Sequence, residues 1–116
     1  MQSLSIKKFL STTITIERQK KTKDSFGGVT VTWDKKDWGV KARIYDALRT
    51  PYIIAVEGAD YSVTAKLIAG KDANLTIGDR ITDEKTNEVY ILVRIYNAVD
   101  ARNIHHIEGA LSLMDV

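Results

Sequence analysis

The sequence predicts an all-β fold: a small, mostly antiparallel β-barrel of about six strands, with a long loop after the third strand. Three observations predict it. Apolar residues recur with period two in Val29-Val31-Trp33, in Val40-Ala42-Ile44 and along Val89 to Ile95, which is the signature of strands with one buried face. Turn-forming pairs separate these runs, at Gly27-Gly28, at Gly78-Asp79 and at Lys85 to Glu88. Apart from a short N-terminal stretch, no segment repeats at helical spacing. In a chain of 116 residues, closing the sheet is the simplest way to remove exposed strand edges.

Taken in order, Ser3 to Ser11 places Leu4 or Ile6, Phe9 and Leu10 at near-helical spacing, so residues 1–11 read as an arm or a short capped helix. Thr13 to Arg18 alternates, with Ile14 and Ile16 inward, and its β-branched residues favour a strand. The two glycines after Asp24-Ser25-Phe26 allow the positive φ of a tight turn. Strands are expected at about 29–35 and 40–45, with Val29, Val31 and Trp33 on one face and Trp38 in the loop between them. Trp33 continues the inward face. Trp38 either caps the barrel or stands exposed as a partner anchor, since tryptophan is enriched at interface hot spots.

The pattern breaks from 45 to 62. This segment contains Pro51, the one proline, and the turn-prone Glu57-Gly58-Ala59-Asp60. Thr50-Pro51 can start a short helix, while Tyr52 to Val56 suits a strand equally well. Alternation resumes with Val63, Ala65, Leu67 and Ala69 on one face. A short strand opens at Arg80-Ile81. In the strongest strand, Val89, Ile91, Val93 and Ile95 are expected inward and Tyr90, Arg94 and Tyr96 outward. The last strand runs from about His105 to Met114, with Ile107, Leu111 and Leu113 inward. The expected buried set is Trp33, Ile44, Leu67, Ile91, Val93 and Leu111, in one domain spanning 1–116.

Composition excludes several classes. The absence of cysteine removes disulfide frameworks, thiolate metal sites and cysteine nucleophiles, and suits synthesis in a reducing cytoplasm. No apolar run approaches the ~20 residues that span a bilayer, and Met1 to Thr13 lacks the apolar core of a signal peptide. The formal net charge of +2 is close to balanced. The basic cluster from Arg18 to Lys23, with Lys35 and Lys36 beyond it, is best explained as a solvated hairpin tip, because no nucleic-acid motif accompanies it.

Catalytic constellations are missing. His105 and His106 are adjacent, so on a strand they point to opposite faces and cannot share a metal. There is neither a GxSxG elbow nor a phosphate-binding GxxxxGK[ST] loop. Asp79, Asp83 and Glu84 crowd one turn, but without the register of a calcium loop, so a solvated turn is the better reading. No enzymatic activity, metal or cofactor is expected.

Several motifs, in order, carry a family resemblance: Thr13 to Arg18, Phe26-Gly27-Gly28-Val29 with Thr32-Trp33, Lys41-Ala42-Arg43-Ile44, Thr64 to Leu67, Leu75 to Ile81 with Gly78-Asp79-Arg80-Ile81, Val89 to Ile95, and His105 to Met114. In that order they resemble the phage head–tail joining proteins, also called adaptor, head-closure or stopper proteins. Each motif alone is common, and their order and spacing are what make the match specific. The chain departs from the family at 45–62, where Arg49-Thr50-Pro51-Tyr52 stands in place of a helix-prone sequence.

The resemblance implies a structural virion protein at the head–tail interface, made in the host cytoplasm, with neither membrane nor cofactor. It implies a ring, typically twelvefold, that joins the portal or its adaptor to tail proteins and continues or closes the channel through which packaged DNA passes. The segment after the third strand would face that channel or a neighbouring copy, which nominates Tyr45, Arg49, Tyr52, Ile53, Ile54, Val56 and Tyr61, with Trp38 as a separate anchor. Two other readings remain open from the residues. One is a tail-completion or tail-terminator protein. The other is an OB- or SH3-like barrel that binds single-stranded nucleic acid through Tyr90, Arg94 and Tyr96.

Overall fold

The computed structural model describes residues 10–45, 51–56, 58–99 and 104–114. Eight strands follow one another: β1 (Thr12–Lys23), β2 (Val29–Tyr45), β3 (Tyr52–Val56), β4 (Ala59–Val63), β5 (Ala65–Gly70), β6 (Arg80–Asp83), β7 (Val89–Val99) and β8 (Ile104–Leu113). Six of them close into an antiparallel barrel in the order β1-β2-β5-β8-β7-β6, and β3 and β4 form a separate two-stranded hairpin. The barrel closes where Ile14 to Glu17 of β1 pair with Arg80 to Asp83 of β6. No described residue is helical. The expected N-terminal arm or helix lies outside the described residues except for Leu10, which is buried, and Ser11.

The expected all-β barrel of six strands is present, but its strands divide differently. The runs expected at 29–35 and 40–45 are one 17-residue strand, β2. Two register shifts, between Ile14 and Ile16 and between Ile16 and Glu17, let β2 absorb the residues read as a loop. Gly39, at φ +64°, supplies the backbone conformation such a bulge requires. The 45–62 insertion contributes β3 and β4, joined in register from Tyr52↔Val63 to Val56↔Ala59.

The barrel interior is built from Ile14, Ile16, Ala42, Leu67, Ile81, Tyr90, Leu92 and Leu111, together with Ala65 and Ala69. This corrects the expected face of β7. Tyr90 and Leu92 point inward, whereas Ile91 and Val93 belong to a second apolar cluster with Ile54, Val63 and Ala110. The physical reason is that β7 is covered on both sides, so alternation alone does not say which apolar set faces in. A register shift between Leu92 and Arg94 then restores Ile95 to the core side. Val63 likewise belongs to the outer cluster and not to the face shared by Ala65, Leu67 and Ala69.

Of the expected buried set, Leu67, Val93 and Leu111 are buried, while Trp33, Ile44 and Ile91 are half-buried. Ile107 is buried as expected, but Leu113 is exposed because β8 ends at the barrel rim. Trp33 leaves the core because β2 has left the barrel by that point. β1 meets β6 only over 14–17 and β2 meets β5 only over 42–45, so among the described residues 19–23 and 29–33 pair solely with each other. They form a projecting ribbon, and the molecule measures 56 × 31 × 29 Å.

Candidate interaction surface

Two features stand outside the barrel: the β1–β2 arm and the β3–β4 hairpin. The arm is closed by the turn Asp24 to Gly28. The Asp24 carboxylate accepts hydrogen bonds from the backbone N–H groups of Phe26 at 2.9 Å and Gly28 at 2.7 Å, and Gly27 takes φ +85°. A Cβ on Gly28 would lie 2.6 Å from the Asp24 carboxylate. The DSFGG stretch is thus a self-contained turn, and it leaves Phe26 96% exposed at the tip.

The arm is rooted on both faces. On one, Arg18 donates from Nε to Asp79 Oδ1 at 2.9 Å and from Nη2 to Asp79 Oδ2 at 3.0 Å. Asp79 is 1% exposed and also accepts the Thr76 backbone N–H at 2.9 Å. The carboxylate raises the Arg18 pKa above its ordinary value through this hydrogen bond, opposed by burial. On the other face, Arg80 donates to Glu17 at 2.9 Å, and its guanidinium lies 4.6 Å from the centre of the Trp33 ring. Glu84 lies in an exposed turn, as expected, and also ties that turn to β1 and β2. It accepts the Gly39 N–H at 2.7 Å and the hydroxyls of Thr13 and Thr15 at 2.9 and 2.8 Å. These bonds, with Gly39 the largest, hold its carboxyl below the ordinary carboxylate range.

The β3–β4 hairpin lies against the outer face of the barrel. Ile54 and Val63 are buried against Val93 and Ala110, with Val56, Tyr61 and Ile91 at the margin. The opposite face, carrying Ile53, Ala55, Asp60 and Ser62, is exposed, with Ile53 at 69%. Tyr52 covers a small cleft that Lys66, Tyr96 and Glu108 also line. Burial, then the neighbouring Tyr96, pushes the Tyr52 phenol above its ordinary pKa. Beneath it Glu108 accepts Lys66 and His106, each at 2.9 Å, and both partners lower its pKa, Lys66 more than His106.

The nominated residues therefore divide. Tyr52, Ile53, Ile54, Val56 and Tyr61 share the hairpin, with Ile54 spent on docking it, Tyr52 partly exposed over the cleft and Ile53 left in solvent. Tyr45 ends β2, its ring 4.8 Å from the Arg43 guanidinium, and pairs across to Lys66 of β5. Arg49 lies outside the described residues. Trp38 is 67% exposed on the β2 bulge with the Lys35 ammonium 5.8 Å from its ring, so it does not cap the barrel. Tyr90 is in the core, which removes it from any nucleic-acid stacking surface of the kind expected on β7. The solvated hairpin tip expected at Arg18 to Lys23 is present as the end of this arm, whereas its length beyond the barrel and the Arg18–Asp79 pair are not anticipated by the sequence reading. The signal for the arm is the low apolar content of Gln19 to Lys23, which cannot line a core.

No group of three or more potential metal ligands is gathered among the described residues, and no helix there is long and apolar enough to cross a membrane. A groove of about 890 Å³ opens between the base of the arm and the hairpin, with Gln19, Lys21 and Trp33 on one wall and Val56, Ala59 and Tyr61 on another.

No protein-family model matches the sequence, and no curated protein matches it. Solved structures share the fold, two of them as follows. One is the phage-like element PBSX protein xkdH from Bacillus subtilis, 16% identical, with a TM-score of 0.55 over 88% of this chain and 92% of that one. The other is a chain of the virion of a native gene transfer agent particle, 14% identical, with a TM-score of 0.58 over 90% of this chain and 96% of that one.

Proposed function

We propose that this chain is a structural protein of a phage-type particle that joins the DNA-filled head to the tail. The observation that carries the proposal is a fold shared over about nine-tenths of the chain, 88% and 90%, with a phage-like element protein and with a chain of a virion particle. The ordered sequence motifs point the same way independently. The barrel interior is filled by apolar side chains, Tyr90 among them, and the distinctive parts of the chain are two exposed ribbons suited to contacts between proteins.

In this reading the chain forms a ring, typically twelvefold, between the portal or its adaptor and the tail. The hairpin at 52–63 and the segment leading into it lie at the channel or at the contact between copies. DNA passes without sequence-specific binding, and the residues carry no catalysis. The sparse basic charge on the described hairpin suits a wall along which DNA slides.

The test is genetic. Particles produced without the chain are expected to yield full-length tails and separate heads that do not join. Normally tailed, DNA-filled particles in its absence would reject the role. Attachment of the purified chain to free tails rather than to portal-bearing heads would instead favour the tail-completion reading.

A further inference from the structure

The distal arm is a two-stranded ribbon with no third strand beside it among the described residues, and such hairpins are at best marginally stable alone in water. Its register defines one face: Lys21 opposite Val31 and Lys23 opposite Val29. One strand of that face is apolar and the other basic, and both valines are exposed. The β3–β4 hairpin presents a matching face, with Ile53 opposite Ser62 and Ala55 opposite Asp60. There, one strand is apolar and the other carries an acid. The arm face continues the wall of the groove at its base, through Trp33 and Gln19.

We infer that the Val29–Val31 face of the arm of one copy seats on the Ile53–Ala55 face of the β3–β4 hairpin of the next. Stacking the two ribbons joins apolar strand to apolar strand and brings Lys21 and Lys23 toward Asp60. It covers two exposed ribbon faces of the chain with each other. Because the two faces are different surfaces of one molecule, the contact is heterologous and propagates head to tail, as a closed ring requires. The inference deepens the ring reading above and rests on it.

The chain has no native cysteine, so single-cysteine variants report the contact directly. Val31→Cys and Ile53→Cys alter exposed side chains, and each is purified as the full chain. Mixed under mild oxidation at high concentration, the two variants are expected to give a disulfide-linked mixed dimer in preference to either self-dimer. The double variant is expected to give a ladder of higher oligomers. Adding Asp60→Lys to the Ile53→Cys variant is expected to weaken the cross-link, and Lys21→Asp with Lys23→Asp in the partner to restore it. A self-dimer of Val31→Cys as abundant as the mixed species, or no cross-link at all, overturns the inference. So does tight binding of duplex DNA that Lys21→Asp and Lys23→Asp abolish, without a cross-link. The virion role fails separately, if the wild-type chain is absent from purified particles.

Discussion

Arg18 grips the buried carboxylate of Asp79 with two nitrogens, at 2.9 and 3.0 Å, and so fixes the base of the arm to the turn that opens β6. An ion pair with one partner nearly excluded from water contributes little relative to an apolar replacement, but losing one member strands the other. Asp79→Ala is expected to destabilise the fold by about 3 kcal/mol, the low end for a buried pair, because the guanidinium still reaches solvent. Arg18→Lys is expected to be milder but still destabilising, since an ammonium cannot make the two-pronged contact. Urea unfolding of the parent and the two variants checks the order; equal midpoints would show that the pair is incidental.

Acid is expected to weaken the fold through Glu84 and Glu108. Both carboxyls are held below their ordinary value of 4.5, Glu84 by Gly39 and the two threonines, Glu108 by Lys66 and His106. A depressed folded-state pKa contributes stability that is fully present above the unfolded value and is lost as pH falls through the folded one. The urea midpoint should therefore drop as pH decreases below 4.5. Glu84→Gln with Glu108→Gln should flatten that drop and lower the neutral-pH midpoint. An unchanged acid slope in the double variant would contradict the assignment.

Gly109 is the close-approach point of the barrel. A Cβ there would lie 2.6 Å from a methyl of Leu92, which is fully buried and would have to shift within the core. Gly109→Ala is expected to cost about 1–3 kcal/mol through overpacking, less whatever the alanine gains by stiffening the unfolded chain. Thermal unfolding measures it, and a Tm equal to or above that of the parent would show that the interior yields.

The hairpin should come away from the barrel without unfolding it. Ile54→Ala removes the side chain at the centre of the outer cluster and is expected to weaken docking by about 2–5 kcal/mol. Amide hydrogen exchange should accelerate over 52–63 while β5 and β8 stay protected. Deleting residues 51–60 should likewise leave a folded barrel, but particles carrying the deletion should leak DNA or fail to take tails. Uniform loss of protection in Ile54→Ala would mean the hairpin is integral to the core.

The barrel is legible in the sequence because most of its strands have one wet face. Thr13 to Arg18 and the Gly78-Asp79 and Lys85–Glu88 turns fall where the pattern places them. The inward face of β7 is not legible, because both of its faces are apolar and only the docked hairpin explains why Ile91 and Val93 are covered. Trp33 and Val31 alternate like core residues, yet they lie beyond the last pairing with a third strand, and alternation carries no information on strand neighbours. Tyr52 to Val56 is legible as a strand but not as a hairpin lying on the barrel, since its partner Val63 alternates in phase with the next strand. Asp79 looks like one more turn acid; only its long-range pairing to Arg18, 61 residues away, makes it structural.

The most direct test of the head–tail role is reconstitution with the purified chain. DNA-filled heads and free tails, each isolated from particles made without the chain, are mixed with it and counted by electron microscopy. The proposal predicts that the chain binds first to portal-bearing heads, seals them against DNA loss, and converts them to tailed particles once tails are added. If the chain binds neither heads nor tails and tailed particles do not appear, the central claim is contradicted.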